Sequence, residues 1–238
     1  MSYMNATLMD HMGTDLTVVN SARVSFDKES DWESITPAGK LPGILRLTDE
    51  KLIKYLAEHN HFTPFTHCTI TMREEVPLFV ARQRFKHVIG FTYNEVSRRY
   101  VSDPPKFYYP KEWRGRADNK KQGSSNTIIN IERPDDTFLN EYELALKACR
   151  WAYTQLLELG VCPEQARMVL PQSTYTSYYV TGSLYAWARA YNLRSDPNAQ
   201  QEIQDLAKYW HHICKYLFPV SWPALTSTSL EDGDKDDL

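Results

Sequence analysis

The residues of this chain best equipped for chemistry are basic. Arg167 and Arg194 sit in settings otherwise made of core-type residues, Ala-Arg-Met-Val-Leu-Pro and Tyr-Asn-Leu-Arg-Ser-Asp. A buried, unpaired charge is costly, so each guanidinium needs a partner, and an internal carboxylate or a bound anion would serve equally. Between Arg82 and Lys121, eleven lysines and arginines stand against four acids, a net of +7, although the chain as a whole carries a formal charge of -3. Arginine forks match phosphate oxygens in bidentate geometry, which makes such a segment a candidate anion site; a solvated surface face is the plainer alternative. Arg82 and Lys86 are four residues apart, as are Gln83 and His87, so a helix there would present a polar, hydrogen-bonding face.

Other chemistries lack their residues. The four cysteines, Cys68, Cys149, Cys162 and Cys214, lie far apart with no C-x-x-C pair, which favours reduced, packed thiols over a zinc site or a disulfide framework. Cys162, just before Pro163, has no base placed beside it by the sequence and reads as a structural thiol. No G-x-G-x-x-G, no G-x-x-x-x-G-K-[ST] and no H-E-x-x-H occurs, and no metal site is expected. Aromatic residues make up 13% of the chain, with 15 tyrosines and 6 tryptophans, which suits a planar ligand, although for any single aromatic a place in the core is the plainer reading.

The elements that must position these groups are mostly helical. Thr14 or Asp15 can cap a helix through Leu16, Val18, Val19 and Ala22, and Leu52, Ile53 and Leu56 form one stripe over 49–59. Residues 27–47 read as a loop, and 61–67 as neither helix nor strand. Cys68, Ile70 and Met72 alternate with polar residues as in a half-buried strand. Pro77 is expected to open a helix running to Ile89 and stopped by Gly90, and residues 101–135 are loop-like. A long helix over 136–159 has the stripe Leu139, Tyr142, Leu146, Cys149, Tyr153 and Leu156, with Gly160 as its stop. A short helix follows Pro163, residues 175–180 are β-rich but ambiguous, Ser183 can cap a helix through Tyr191, and Asp196-Pro197 begins the last helix, ended by Pro219.

The sum is an α+β chain. Its 238 residues allow one large domain at roughly 100 to 200 residues per domain. With 42% hydrophobic and 24% charged residues it is neither disordered, collagenous nor a coiled coil. No window has the roughly 18 apolar residues of a membrane helix and the first residues lack a signal-peptide pattern, so a cytoplasmic protein is expected. One catalytic domain over 1–224 and an acidic tail over 225–238 are expected, the last nine residues holding five acids and one lysine.

Several segments together resemble the flavin-dependent thymidylate synthases. They are Asp15-Leu-Thr-Val-Val-Asn-Ser-Ala-Arg-Val-Ser-Phe26; His61-Phe-Thr-Pro-Phe-Thr-His67 followed by Val76-Pro-Leu-Phe-Val-Ala-Arg-Gln83; Asn94-Glu-Val-Ser-Arg-Arg-Tyr100; and Ala166-Arg-Met-Val-Leu-Pro171, joined to Asn192-Leu-Arg-Ser-Asp196 and Ala199-Gln-Gln-Glu-Ile203. The likeness runs in order from about residue 10 to 220. It departs from the family where an Arg-His-Arg triplet is expected: here the residues are Lys86-His87-Val88, and the stretch to Ser97 is one residue longer. Ser183 and Tyr185 stand where the family has Asn and Arg, and Thr66 where it has an acid. The chain thus resembles a divergent branch, of the kind carried by viruses, for which the host cytoplasm would be the setting.

The resemblance implies an α+β subunit with a central mixed or antiparallel sheet, assembled as a homotetramer with sites between subunits. It implies methylation of dUMP to dTMP with methylenetetrahydrofolate as carbon donor, NADPH as reductant, FAD as cofactor and no enzyme nucleophile. For dUMP it implies Gln83, Lys86, Glu95, Ser97, Arg98, Arg99, Arg167 and Arg194, the last polarising the uracil ring as a preorganised donor. For the flavin it implies Ser25, His61, Thr63, Lys86, His87 and Val88, with Ser183, Tyr185 and Arg189 matching in place but only partly in type. Nucleic acid and membrane are not expected partners. Two alternatives remain: a single-stranded nucleic-acid binder using 82–121 and the aromatics, and a relative that binds flavin or nucleotide without turnover.

Overall fold

The computed structural model describes residues 4–34, 43–101, 103–117, 123–129 and 137–226; residues 227–238 of the expected acidic tail and Lys120–Lys121 lie outside them. In chain order the elements are β1 (Asn5–Met12), α1 (Asp15–Arg23), α2 (Leu47–Glu58), α3 (Thr63–Thr66), β2 (Thr69–Pro77), α4 (Leu78–Arg84), β3 (Phe91–Glu95), β4 (Arg114–Arg116), β5 (Ser124–Ile128), α5 (Thr137–Glu158), α6 (Pro163–Ala166), β6 (Tyr175–Ser183), α7 (Leu184–Arg194), α8 (Gln201–Leu217) and α9 (Ser221–Thr226). The main sheet has the order β1-β2-β6-β3 with all neighbours antiparallel, and β4 and β5 form a separate hairpin.

The sheet's inner face follows from period two. On β2, Ile70, Met72, Glu74 and Val76 are buried, and on β6, Thr176, Tyr178, Val180 and Gly182. The β-branched and aromatic residues of Tyr175–Ser183 make this a central strand, resolving its ambiguity toward β. Gly182 is required there because a Cβ would meet the Phe91 ring at 2.4 Å. Against this face pack α7, through Leu184, Trp187, Ala188 and Ala190, and α8, through Ile203, Leu206, Ala207, Trp210 and Cys214. Trp187 Nε1 donates to the Ile70 carbonyl at 3.1 Å, fixing α7 on β2. Ser183 caps α7, its hydroxyl accepting from the Ala186 N–H at 3.2 Å. Asp15, buried on α1, accepts the N–H groups of Val220 and Ser221 at 2.9 Å each and so ties the chain's two ends together; burial raises its pKa.

Several boundaries differ from the sequence expectation. The helix after Pro77 ends at Arg84, six residues short of Gly90, because the chain must turn there into β3, which the pattern did not reveal. Gly90 makes that turn at a φ of +78°. Residues 61–67 contain the helical turn α3, opened by Pro64 near its start. The stretch 101–135 contains the β4–β5 hairpin. The last long helix starts at Gln201, five residues after Asp196, and α9 extends the packed chain to Thr226, with Leu225 buried.

Candidate functional site

The end of α4 is built around a buried arginine. Arg84 and Glu74 are both fully buried and paired, Nε to Oε1 at 3.3 Å. The Tyr178 hydroxyl donates to the other Glu74 oxygen at 2.5 Å, and burial next to that carboxylate drives the phenol pKa well up. Four rings surround the guanidinium, those of Phe91, Tyr93, Trp187 and Trp210, with centroids 4.3 to 5.2 Å from its central carbon. Arg84 Nη1 donates to the Tyr93 hydroxyl at 2.6 Å, and that hydroxyl donates to the His87 carbonyl at 2.7 Å. The buried cage thereby fixes the backbone of the Lys86-His87-Val88 segment.

His87 in turn meets the end of α7. Arg194 Nε donates to His87 Nε2 at 2.8 Å. Desolvation, then the charges of Arg194, Arg84 and Arg189, hold the imidazole down at about 4, so it stays neutral and accepts. Burial likewise lowers the Arg194 pKa. The partner of Arg194 is therefore neither a carboxylate nor an anion among the described residues, and both its Nη groups are free of protein hydrogen bonds there. Gln83, on the last turn of α4, donates to Gln200 Oε1 at 2.5 Å, and Arg82, Lys86 and Val88 are exposed. Because α4 stops at Arg84, the expected helical pairs Arg82/Lys86 and Gln83/His87 do not form one face: Lys86 and His87 belong to the following turn.

At the other end of β3, a cavity of about 640 Å³ gathers Glu95, Ser97, Arg98 and Arg167 with Arg73, Glu75, Asp103 and Lys106. Strand β3 delivers Glu95, whose Oε1 accepts from Thr176 on β6 at 2.6 Å. Ser97 accepts the Arg99 N–H at 3.2 Å, which leaves its hydroxyl proton for a ligand. Arg98 is held by the Asp103 carbonyl at 2.6 Å, and its guanidinium lies 5.9 Å from the Tyr153 ring. Arg167, read from sequence as a buried charge, is exposed: it sits in a turn, donates to the Glu164 carbonyl at 3.3 Å and borders the cavity. Arg99 turns away and pairs with Glu164 at 3.4 Å. Sequence reasoning missed Arg73 and met Lys106 only as one charge of the basic segment; Arg73 occupies an outward position of β2's alternation, the only signal it offered.

A third group lies beside α2, α3 and α7. Phe62, Tyr185, Arg189, Leu193 and Asn192 line a cavity of about 340 Å³, with the Phe62 and Tyr185 rings 5.2 Å apart. Asn192 Oδ1 is buried there without a partner among the described residues. His61, exposed and 6.0 Å from Tyr55, and Thr63 flank Phe62. Ser25 is exposed in the turn after α1, and the Ser183 hydroxyl accepts its capping bond and keeps its proton to donate.

Among the described residues the basic segment does not form a continuous charged face. Arg84, Arg99, Lys106 and Arg114 each meet a carboxylate, those of Glu74, Glu164, Glu75 and Glu202. The thiols of Cys68 and Cys214 are buried, and burial pushes the former up to about 12. No helix of the described residues is long and apolar enough to cross a membrane.

Comparison with known proteins identifies the family. A family model described as thymidylate synthase complementing protein matches residues 7–220. A flavin-dependent thymidylate synthase of Thermosipho africanus is 37% identical over 217 residues, 91% of this chain and 88% of that one. One from a strain of Thermus thermophilus is 34% identical over 224 residues, covering 94% and 76%. Among solved structures, a UMP/dUMP methylase, PolB from Streptomyces cacaoi, bound with 5-Br UMP, has a TM-score of 0.77 at 27% identity, covering 96% of both chains.

Proposed function

This chain belongs to the family of the flavin-dependent thymidylate synthases, and we propose that it methylates dUMP to dTMP, with methylenetetrahydrofolate as carbon donor, NADPH as reductant and FAD as cofactor. The single observation that carries the substrate side is the cavity in which Ser97, Arg98 and Arg167 converge beside Glu95. A nucleoside monophosphate brings close to two negative charges at neutral pH. The cavity offers four cations, Arg73, Arg98, Lys106 and Arg167, against three acids, and a serine hydroxyl able to donate.

The residues on the flavin side fit a planar, partly polar group. Phe62 and Tyr185 supply ring faces, Arg189 a cation, and Asn192 Oδ1 an unsatisfied buried acceptor. We assign FAD to this cavity and, on the resemblance, to Ser25, His61, Thr63, Lys86, His87, Val88 and Ser183; when bound it supplies the reducing chemistry.

What this chain's own side chains do is positioning and electrostatics. Arg194, fixed at Nε by the neutral His87, keeps both Nη groups for the uracil ring. A preorganised guanidinium there stabilises the negative charge left on N3 and O4 when the N3 proton passes to solvent during the reaction, and the resulting electron-rich ring can react through C5, so no thiol need attack it. Gln83, Lys86 and the His87 that holds Arg194 precede β3 in the chain, and Glu95, Ser97, Arg98 and Arg167 meet at its end, about 13 Å along a five-residue strand. That separation supports a homotetramer in which one copy brings each half, with Arg99 joining the nucleotide once its exposed pair with Glu164 opens.

The test is tritium release from 5-labelled dUMP by FAD-loaded protein with methylenetetrahydrofolate and NADPH. Release that falls about 100- to 1,000-fold in Arg194→Ala with the flavin band retained is expected. A colourless protein that takes up no FAD, or release unchanged in Arg194→Ala, overturns the assignment.

A further inference from the structure

One hydrogen-bond chain runs from the β4–β5 hairpin to a residue of the nucleotide site. Arg114 Nη2 lies 2.7 and 2.9 Å from the two oxygens of Glu202, and Arg114 Nε donates to Ser124 Oγ at 2.9 Å. Glu202 is buried at 5% exposure. Gln200 Nε2 donates to Glu202 Oε2 at 2.8 Å, and Gln83 Nε2 donates to Gln200 Oε1 at 2.5 Å.

The chain has a direction. An ionised carboxylate only accepts, so Gln200 must turn its NH2 to Glu202. Its carbonyl oxygen is then what faces Gln83, and Gln83 must answer with its own NH2. An isolated glutamine amide has nearly the same shape either way round and can flip. Here a carboxylate one residue removed decides the orientation, leaving Gln83 Oε1 as an acceptor with no protein donor among the described residues.

We propose that Gln200 and Glu202, braced by Arg114, are positioning residues that hold the Gln83 amide with its oxygen toward the nucleotide, making this position selective for a hydrogen-bond donor on the substrate. The inference rests on the assignment of Gln83 to the dUMP site. Uracil offers one ring donor, N3–H, and the deoxyribose one hydroxyl; both are the same chemistry to an amide oxygen.

The experiment measures steady-state kinetics and dUMP titration of the flavin band in FAD-loaded wild type, Gln200→Leu, Gln83→Leu, the double variant and Glu202→Gln. Gln200→Leu is expected to raise the KM for dUMP about 5- to 20-fold with kcat nearly unchanged and FAD affinity and melting temperature kept. The double variant is expected to be no worse than Gln83→Leu, since both remove one interaction. Glu202→Gln, whose amide can face either way, is expected to fall between. N3-methyl dUMP and the 3′-deoxy nucleotide identify the donor: the analogue that lacks it binds wild type more weakly but loses nothing further in Gln200→Leu. Multiplying effects in the double variant, an unchanged KM in Gln200→Leu, or equal losses for both analogues in wild type and variant overturn the proposal. Failure of the underlying assignment looks different, because Gln83→Leu would then bind dUMP as wild type does.

Discussion

Arg194 donates from Nε to His87 Nε2 at 2.8 Å, so the imidazole proton sits on Nδ1 and the ring is neutral. Protonating His87 would set two N–H groups against each other. Its folded pKa, about 4, is depressed below the ordinary 6.5, so the stability this arrangement contributes is complete above about 6.5 and is lost as pH falls toward 4. His87→Gln keeps an acceptor near Nε2 but cannot titrate. The melting temperature of wild type relative to His87→Gln is therefore expected to decline between about pH 7 and pH 4.5. A difference that stays flat over that range means that His87 is not the neutral acceptor described here.

The Arg84–Glu74 pair permits a sharper stability test. Both groups have no solvent exposure, so Glu74→Gln strands a charge inside a ring of aromatics, at a cost of about 3–5 kcal/mol. The double variant Glu74→Leu/Arg84→Met removes both charges and leaves the Tyr93 hydroxyl its bond to the His87 carbonyl, but deprives Tyr178 of its acceptor. Its loss is expected to be smaller than that of Glu74→Gln alone. Urea unfolding at fixed protein concentration measures both, and a double variant less stable than the single one contradicts the charge-burial account.

The same pair shows how far sequence reasoning reached. The alternation Cys68, Ile70, Met72 identified β2, capping by Ser183 located α7, and the stripe of α8 identified that helix though not its first residue, because those signals are local. Period two puts Glu74 on the same face as Ile70 and Met72, but nothing local announced what would pair with its charge there, since Arg84 becomes a partner only when α4 folds back over β2 and β6. The early end of α4 was hidden for the same reason: Phe85, Lys86 and His87 suit a helix, and the pull of Tyr93 on the His87 carbonyl outweighs that preference. Glu95, Ser97, Arg98 and Arg167 were named on motifs and meet in one cavity, whereas Arg73 and Lys106 reach it only through strand register and a loop.

The placement of the two residue groups at opposite ends of β3 predicts complementation between inactive variants. Arg194→Ala damages one group and Arg167→Ala the other. If each active site takes one group from each of two copies, mixed assemblies of the two variants contain about a quarter of sites with both groups intact. Mixing, partial denaturation and reassembly are expected to restore tritium release toward that fraction, while each variant reassembled alone stays inactive. No recovery in verified mixed assemblies would place both groups in a site made by one chain.

Gly182 links the sheet to the cage. A Cβ at this position would lie 2.4 Å from the Phe91 ring, and that ring is itself 4.3 Å from the Arg84 guanidinium. Gly182→Ala must therefore push Phe91 away from Arg84, because the β3–β6 ladder continues from this pair to Glu95↔Tyr178 and the Ser183 N–H is bonded to the Gly90 carbonyl on its other side. Overpacking of this kind costs about 1–3 kcal/mol. It should also loosen the turn at Gly90 that sets His87 against Arg194, so dUMP turnover is expected to fall more than thermal stability alone explains. Phe91→Leu in the Gly182→Ala background makes room for the methyl group, and recovery of both stability and turnover is the outcome expected. Recovery of stability without turnover would show that the Phe91 ring itself, stacked on Arg84, is needed to hold the His87 turn.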